Sequence, residues 1–154
     1  MKLIFLDIDG VLNSYKFLQN LPEDSFGIDN TRLPILKRIT DSTDAKIVLS
    51  SSWRKNWDSD PEKCTALGIS LVKLFAKYGL EIFDKTPQID YFKRNDEIKS
   101  ILEKYGDEVK AYVILDDIKL GWEDLTDNVV ITDDRIGHGL EDSHANKAIE
   151  ILNR

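Results

Sequence analysis

The sequence has little of what a disulfide-linked or zinc-binding protein needs. It contains one cysteine, Cys64, and two histidines among 154 residues. A single cysteine cannot form an internal disulfide, and no Cys/His spacing is typical of a zinc site. The composition fits a reducing compartment, and we therefore expect a cytoplasmic protein.

Long hydrophobic runs are also missing. The N-terminal segment MKLIFLD places only four apolar residues, LIFL, directly before an acid. That run is far short of the core of a signal peptide or of a membrane span. We therefore expect no membrane partner.

The chain lacks an excess of positive charge. It has 21 Lys and Arg against 28 Asp and Glu, a net charge of −7. This charge opposes indiscriminate attraction to nucleic-acid backbones or anionic lipids, although it is compatible with a local basic patch. The apolar content of 42% excludes a mainly disordered chain, and the length is that of one domain, which we predict over residues 1–154.

Short apolar runs that end in polar residues predict the strands of a sheet, and apolar residues at helical spacing lie between them. The predicted strands are Lys2–Leu6, Ala45–Leu49, Tyr112–Leu115 and Val129–Ile131, with a strand-like segment at Leu80–Phe83. The predicted helices contain Leu33–Ile39, Leu67–Tyr78, Ile98–Tyr105 and Ala145–Leu152. This alternation favours an α/β fold with a mostly parallel sheet, whose ligands bind at the carboxyl ends of the strands.

Two segments are less regular. Ser14–Gly27 has no clear period and is predicted to form a loop or a small hairpin. Asp60 before Pro61 is typical of the start of a helix, which Gly68 is expected to break in two.

Pairs of acids follow two of the predicted strands. Asp7 and Asp9 are two residues apart, so both carboxylates point to one side of the chain if the strand continues through Ile8. A bound hard cation relieves the repulsion between such groups, and oxygen ligands without histidine favour Mg²⁺. Asp116 and Asp117 can complete the site if their strand lies beside the first. The alternative is that each acid only caps a turn or a helix.

Four motifs in order resemble the haloacid dehalogenase (HAD) superfamily. FLDIDGVLN (5–13) is similar to its first motif, IVLSSSWR (47–54) to the second, YFKRNDEI (91–98) to the third and VILDD (113–117) to the fourth. The resemblance implies a Rossmann-like three-layer α/β core without a large cap domain and with a short flap at about 14–28. The segments SSSWR, KRNDEI, VILDD and GLEDSHANKAIEIL resemble more narrowly the HAD domains of RNA-repair proteins.

The resemblance also implies roles for the acids. Asp7 would be the nucleophile that forms an aspartyl-phosphate. Asp9 would protonate the leaving oxygen and then activate the hydrolytic water. Mg²⁺ would be held by the Asp7 side chain, the Asp9 backbone carbonyl and Asp117. Asp116 would orient the basic residue.

Hydroxyl and basic residues would bind the phosphate. The spacing to Trp53 favours Ser51 as the hydroxyl donor, with Ser50 as the alternative. Arg94, directly before a predicted helix, would place a fixed cation at the phosphate, and Lys93 is nearly as good a candidate. Without the motif context, the serines are simply a polar turn and the Lys-Arg pair is a solvated surface feature.

Aromatic and basic residues occur together directly after the second motif, in Trp53–Trp57. One interpretation is that they stack a base and hold its phosphates. The other is that Trp53 packs under the loop and Arg54 is solvated.

The motifs together predict an Mg²⁺-dependent phosphatase that hydrolyses phosphomonoesters, with polynucleotide ends as one substrate class. A partner protein could supply the affinity for nucleic acid that a charge of −7 does not, and self-association could cover an open site. The alternatives are a small-molecule phosphatase such as a nucleotidase and a non-catalytic module that binds a phosphorylated ligand. A receiver-like phosphorylated switch is disfavoured because DxD follows the first strand.

Overall fold

Five parallel strands form one sheet at the centre of the molecule. The computed structural model describes residues 1–89, 93–133, 135 and 137–154. The strands are β1 (Lys2–Leu6), β2 (Lys46–Leu49), β3 (Ile82–Lys85), β4 (Ala111–Asp116) and β5 (Val129–Ile131), in the order β3-β2-β1-β4-β5. All neighbouring pairs are parallel. The prediction of a mostly parallel α/β sheet is confirmed.

Helices cover both faces of the sheet. They are α1 (Tyr15–Gln19), α2 (Leu33–Thr43), α3 (Ala66–Lys77), α4 (Arg94–Tyr105) and α5 (Asp142–Leu152). Side chains from α2, α3 and α5 pack with Ile4 and Leu6 on one face, whereas α4 and a turn containing Trp122 pack with Leu3 and Phe5 on the other. This alternation along β1 is what two buried faces require, and it confirms the Rossmann-like three-layer core.

The segment after the first motif differs from its prediction as a loop or hairpin. It contains the five-residue helix α1, which begins after Ser14 because the Ser14 Oγ accepts a hydrogen bond from the Phe17 N–H at 3.1 Å. Within the described residues all strands belong to the one sheet, so no cap with a sheet of its own is inserted. The flap is short.

The helix predicted from Asp60 also begins elsewhere. Asp60 caps a separate 3-10 turn at Pro61–Lys63, and α3 starts after Thr65, whose side chain accepts from the N–H of Gly68. Gly68 does not break α3. A Cβ at this position would lie 1.8 Å from the backbone oxygen of Asn56, so the glycine permits a close approach of the chain.

No helix in the described ranges combines the length and hydrophobicity required to cross a bilayer.

Candidate active site

The carboxyl edge of the sheet brings polar residues from three strands together. The in-register pairing of β1 with β2 and β4 continues one residue past β1, so Asp7 lies between Ser50 and Asp116. The Asp7 N–H donates to the Leu115 carbonyl at 3.0 Å, and the Ser50 N–H donates to the Leu6 carbonyl at 2.8 Å. The topology thus places a predicted nucleophile between a hydroxyl and a second acid.

The side chain of Asp7 faces α4. It continues the alternation of Leu3 and Phe5, which pack against that helix. Arg94 is the first residue of α4, and its Nη1 lies 3.0 Å from the Asp7 Oδ2 and also pairs with the Asp116 Oδ2. One guanidinium therefore bridges two buried carboxylates.

The charges in this cluster do not balance. Burial and, after it, the negative charge of Asp116 together raise the pKa of Asp7 from 3.8 to about 7, although the charge and the hydrogen bond of Arg94 lower it. Burial alone would lower the pKa of Arg94, but the two carboxylates raise it above its usual range, so the guanidinium stays charged. Two buried carboxylates share one guanidinium, so a further positive charge would stabilise the ionised form of the cluster.

Three acids can hold a cation together. Asp7, Asp116 and Asp117 each offer a carboxylate oxygen, and these oxygens lie within 4.8 Å of one another. A set of carboxylate oxygens suits Mg²⁺. Asp116 is also engaged elsewhere, because its Oδ1 accepts from the Ile118 N–H at 2.9 Å and its Oδ2 from Arg94. Asp116 thus contacts both Arg94 and the loop that follows β4.

Gly10 makes room for Asp117. Its φ of +84° lies in the left-handed region, and a Cβ built on it would be 2.4 Å from the Asp117 Oδ2. A side chain at position 10 would therefore displace the acid. This close approach fits a metal site whose ligand needs a defined position.

Asp9 lies at the rim rather than inside the acid cluster. Its side chain is exposed, and its Oδ1 accepts from the Asn13 Nδ2 at 3.0 Å and from the Trp53 Nε1 at 3.4 Å. The group of three acids found among the described residues does not include it. Its carboxylate is instead held by donors from Asn13 and Trp53 beside the cluster.

The two candidate serines have different environments. The Ser51 Oγ accepts a hydrogen bond from the backbone N–H of Trp53 at 3.2 Å and caps the 3-10 turn that follows β2. The Ser50 Oγ is buried and has no hydrogen-bond partner among the described residues. Ser50 follows Val48 by two residues, and Val48 packs on the α4 side, so alternation places Ser50 on the same face as Asp7.

The basic candidates both lie at the start of α4. Lys93 is exposed at the position before the helix, and Arg94 is its first residue. The first two residues of the third motif, Tyr91 and Phe92, lie outside the described residues. Arg94 contacts the acid cluster, whereas Lys93 lines a cavity of about 430 Å³ beside it.

Comparison with protein-family models assigns the chain to a family. The model described as the HAD domain in Swiss Army Knife RNA repair proteins matches residues 3–145. This chain belongs to that HAD family. The membership supports a HAD-type phosphatase in general terms, and a phosphorylated substrate with it. Neither the curated proteins nor the solved structures gave a match to this HAD domain.

An ion pair that the sequence did not predict joins the second and third motifs of this HAD domain. Both Nη atoms of Arg54 donate to the Glu97 carboxylate at 3.0 Å, and Arg54 also contacts the Thr86 hydroxyl at 3.2 Å. The side chains of Arg54 and Glu97 are only 12% and 4% exposed. Arg54 is therefore largely buried and paired with an acid rather than solvated.

Trp53 packs against the core and the flap loop, in agreement with the second interpretation of its segment. Its ring packs against Phe26 of the flap, with ring centroids 6.3 Å apart, and its indole Nε1–H donates to the Asp9 carboxylate. The spacing SSSWR places Trp53 and Arg54 next to the serines, but only the folded chain reveals their acidic partners.

Proposed function

We propose that this HAD domain is an Mg²⁺-dependent phosphatase that hydrolyses phosphomonoesters through an aspartyl-phosphate on Asp7. The observation that carries the proposal is the convergence of Asp7, Arg94, Asp116 and Asp117 at one edge of the sheet. Phosphoryl transfer depends mainly on positioned charge, and this cluster offers a carboxylate nucleophile, a fixed cation and ligands for a metal.

Asp7, Asp117 and the backbone carbonyl of Asp9 would hold the metal. Bound Mg²⁺ would supply positive charge to the transferred phosphate and keep Asp7 ionised despite its burial. Arg94 would hold an equatorial oxygen of the phosphate while Asp116 fixes its guanidinium.

The two chemical steps assign opposite tasks to Asp9. In the first, an oxygen of Asp7 attacks phosphorus, the bond from phosphorus to the leaving oxygen breaks, and Asp9 gives that oxygen its proton. In the second, a water oxygen attacks phosphorus, Asp9 takes a proton from the water, and the bond from phosphorus to Asp7 breaks. The products are an alcohol, inorganic phosphate and the original carboxylate.

Ser50 is the hydroxyl we assign to a phosphate oxygen, with Ser51 as the other candidate. A buried hydroxyl without a partner loses free energy, and a ligand that accepts its hydrogen bond removes that loss. The Ser51 Oγ already accepts a bond from the Trp53 N–H and can still donate its own proton.

A polynucleotide end is the substrate class we favour. The segment between β1 and α2 carries the short helix α1 and a 3-10 turn at Asn30–Arg32, an insertion small enough to leave the phosphate site open to a large substrate. The exposed cations Lys55 and Lys93 line the cavity beside Arg94 and suit further phosphates. The description of the matching family names RNA repair proteins. The net charge of −7 favours the second candidate, a small-molecule phosphatase such as a nucleotidase.

The test is phosphate release from an aryl phosphate, with Mg²⁺ and with chelator, using the Asp7→Asn protein as the blank. We expect release that requires both Mg²⁺ and Asp7. Phosphorylated oligonucleotides, mononucleotides and phosphopeptides would then be compared by kcat/KM. Binding of a phosphorylated ligand without turnover would replace the proposal by a non-catalytic module.

Ser50→Ala and Ser51→Ala separate the two hydroxyls in the same assay. We expect the first to lower kcat/KM by about a hundredfold to a thousandfold, as for loss of one donor to a developing charge. The second removes the cap of the 3-10 turn, so its main expected effect is on stability. The reverse result would assign the phosphate contact to Ser51.

A further inference from the structure

Asn13 uses its whole side-chain amide to join three parts of the site. It is 1% exposed, and its Oδ1 accepts from the Gly10 N–H at 2.9 Å. Its Nδ2 donates to the Asp9 Oδ1 at 3.0 Å and to the Gly27 carbonyl at 2.9 Å. One buried amide therefore connects the loop of the first motif, the Asp9 carboxylate and the end of the flap.

Trp53 reaches the same carboxylate oxygen from the second motif. Its Nε1 donates to the Asp9 Oδ1 at 3.4 Å. The indole is held in place because its ring packs against Phe26 and its backbone N–H is bound by the Ser51 Oγ at 3.2 Å. Gly27 lies against the same ring, because a Cβ built on this glycine would be 3.6 Å from the Trp53 Cζ2.

The two donors act on one oxygen of a side chain that is otherwise exposed to solvent. An exposed aspartate rotates between rotamers, and catalysis loses rate when a reacting group spends time out of place. Two hydrogen bonds to Oδ1 fix the plane of the carboxyl group and direct Oδ2 away from the donors. A carboxylic acid transfers its proton from one oxygen, so fixing the other sets where the proton is delivered.

We propose that Asn13 and Trp53 are positioning residues that hold Asp9 through Oδ1, so that Oδ2 carries the proton to the leaving oxygen. The proposal rests on the function proposed above, in which Asp9 is the acid of the first step. It goes beyond that function by assigning a task to a buried amide, an indole and the flap residues against which they lie. Both positioning residues reach Asp9 through its side-chain Oδ1.

The experiment uses Trp53→Phe, which keeps an aromatic ring against the flap and removes the N–H donor. Its matched control is Trp57→Phe, the same substitution at a buried position just after the same 3-10 turn. Both proteins and wild type are assayed with a series of aryl phosphates, from dinitrophenyl to phenyl. Good leaving groups depart without a proton, whereas poor ones need the acid.

We expect Trp53→Phe to lower kcat/KM about tenfold for phenyl phosphate and less than about twofold for dinitrophenyl phosphate. The dependence on the leaving group therefore becomes steeper, a change that a merely structural defect does not produce. Trp57→Phe is expected to shift all substrates equally. Asn13→Leu, which is similar in size, adds no charge beside Asp9 and removes both donated bonds, should steepen the series further.

If kcat/KM depends on the leaving group equally steeply in Trp53→Phe, Asn13→Leu and wild type, the positioning proposal is overturned while the phosphatase proposal stays intact. Absence of any Asp7-dependent turnover by wild type with the whole series would overturn both. The two failures are distinguished by the wild-type data alone.

Discussion

Replacing Asp7, the proposed nucleophile, with its neutral isostere should stabilise the metal-free protein. Asp7 is 5% exposed, lies beside Asp116 and shares one guanidinium with it. Asp7→Asn removes one of the two negative charges and keeps the size of the side chain. Arg94 then remains paired with the other carboxylate.

The expected magnitude follows from the pKa of Asp7. Burial and the charge of Asp116 raise it from 3.8 to about 7, so the folded protein holds this proton more tightly than the unfolded chain. The stability associated with the proton is complete below pH 3.8 and is lost as the pH rises through about 7. The difference amounts to at most about 4 kcal/mol at pH 8 and less than about 1 kcal/mol at pH 4. The asparagine variant avoids this loss.

The assay is urea unfolding in chelator at pH 4 and pH 8. With an m-value of about 2 kcal/mol/M, Asp7→Asn should raise the midpoint at pH 8 by up to about 2 M and change it little at pH 4. Asp127→Asn, which removes an exposed acid, is the control and should change neither midpoint appreciably. Equal stability of wild type and Asp7→Asn at pH 8 would refute the argument that the two buried acids repel each other.

Two further substitutions test the metal site and the buried ion pair. Gly10→Ala should weaken Mg²⁺ binding at least about tenfold, measured by calorimetry, because the new Cβ would lie 2.4 Å from the Asp117 carboxylate. The control is Gly106→Ala, which is also at a positive φ but has open space around it and should leave Mg²⁺ affinity unchanged. Equal affinities would contradict the assignment of Asp117 as a ligand. Glu97→Gln should cost about 3 kcal/mol in urea unfolding because it leaves the Arg54 guanidinium buried without its counter-charge, and the double variant with Arg54→Met should recover part of that loss. A double variant less stable than Glu97→Gln would show that the pair contributes more than the cost of burying it.

Elements with a strong local pattern could be predicted from the sequence. The apolar runs of β1, β4 and β5 are recognisable because strands buried on both faces are almost continuously apolar. Helix α1 was missed because five residues give too short a period, and its start depends on the cap at Ser14. The expected break at Gly68 was wrong. The sequence alone does not distinguish a glycine that permits close packing inside a helix from a glycine that ends one.

Some residues of the candidate site could likewise be predicted from the sequence, and others could not. The acids of the first and fourth motifs were recognisable by their order along the chain, and the structure brings Asp7, Asp116 and Asp117 together. The choice between Ser50 and Ser51 needs the register of β2 against β1, which no local pattern contains. The partner of Arg54 depends on where α4 docks, so a basic residue next to aromatics gave no sign of burial.

The parallel pairing of β1 with β4 has a kinetic consequence. Residues near the start of the chain meet residues from its last third, and contacts of such long range form late because the intervening chain must first be ordered. The cluster of Asp7 with Asp116 and Asp117 does not exist until that pairing is made. A cation held there would therefore act on a sheet that is already assembled, slowing its unfolding without accelerating its folding.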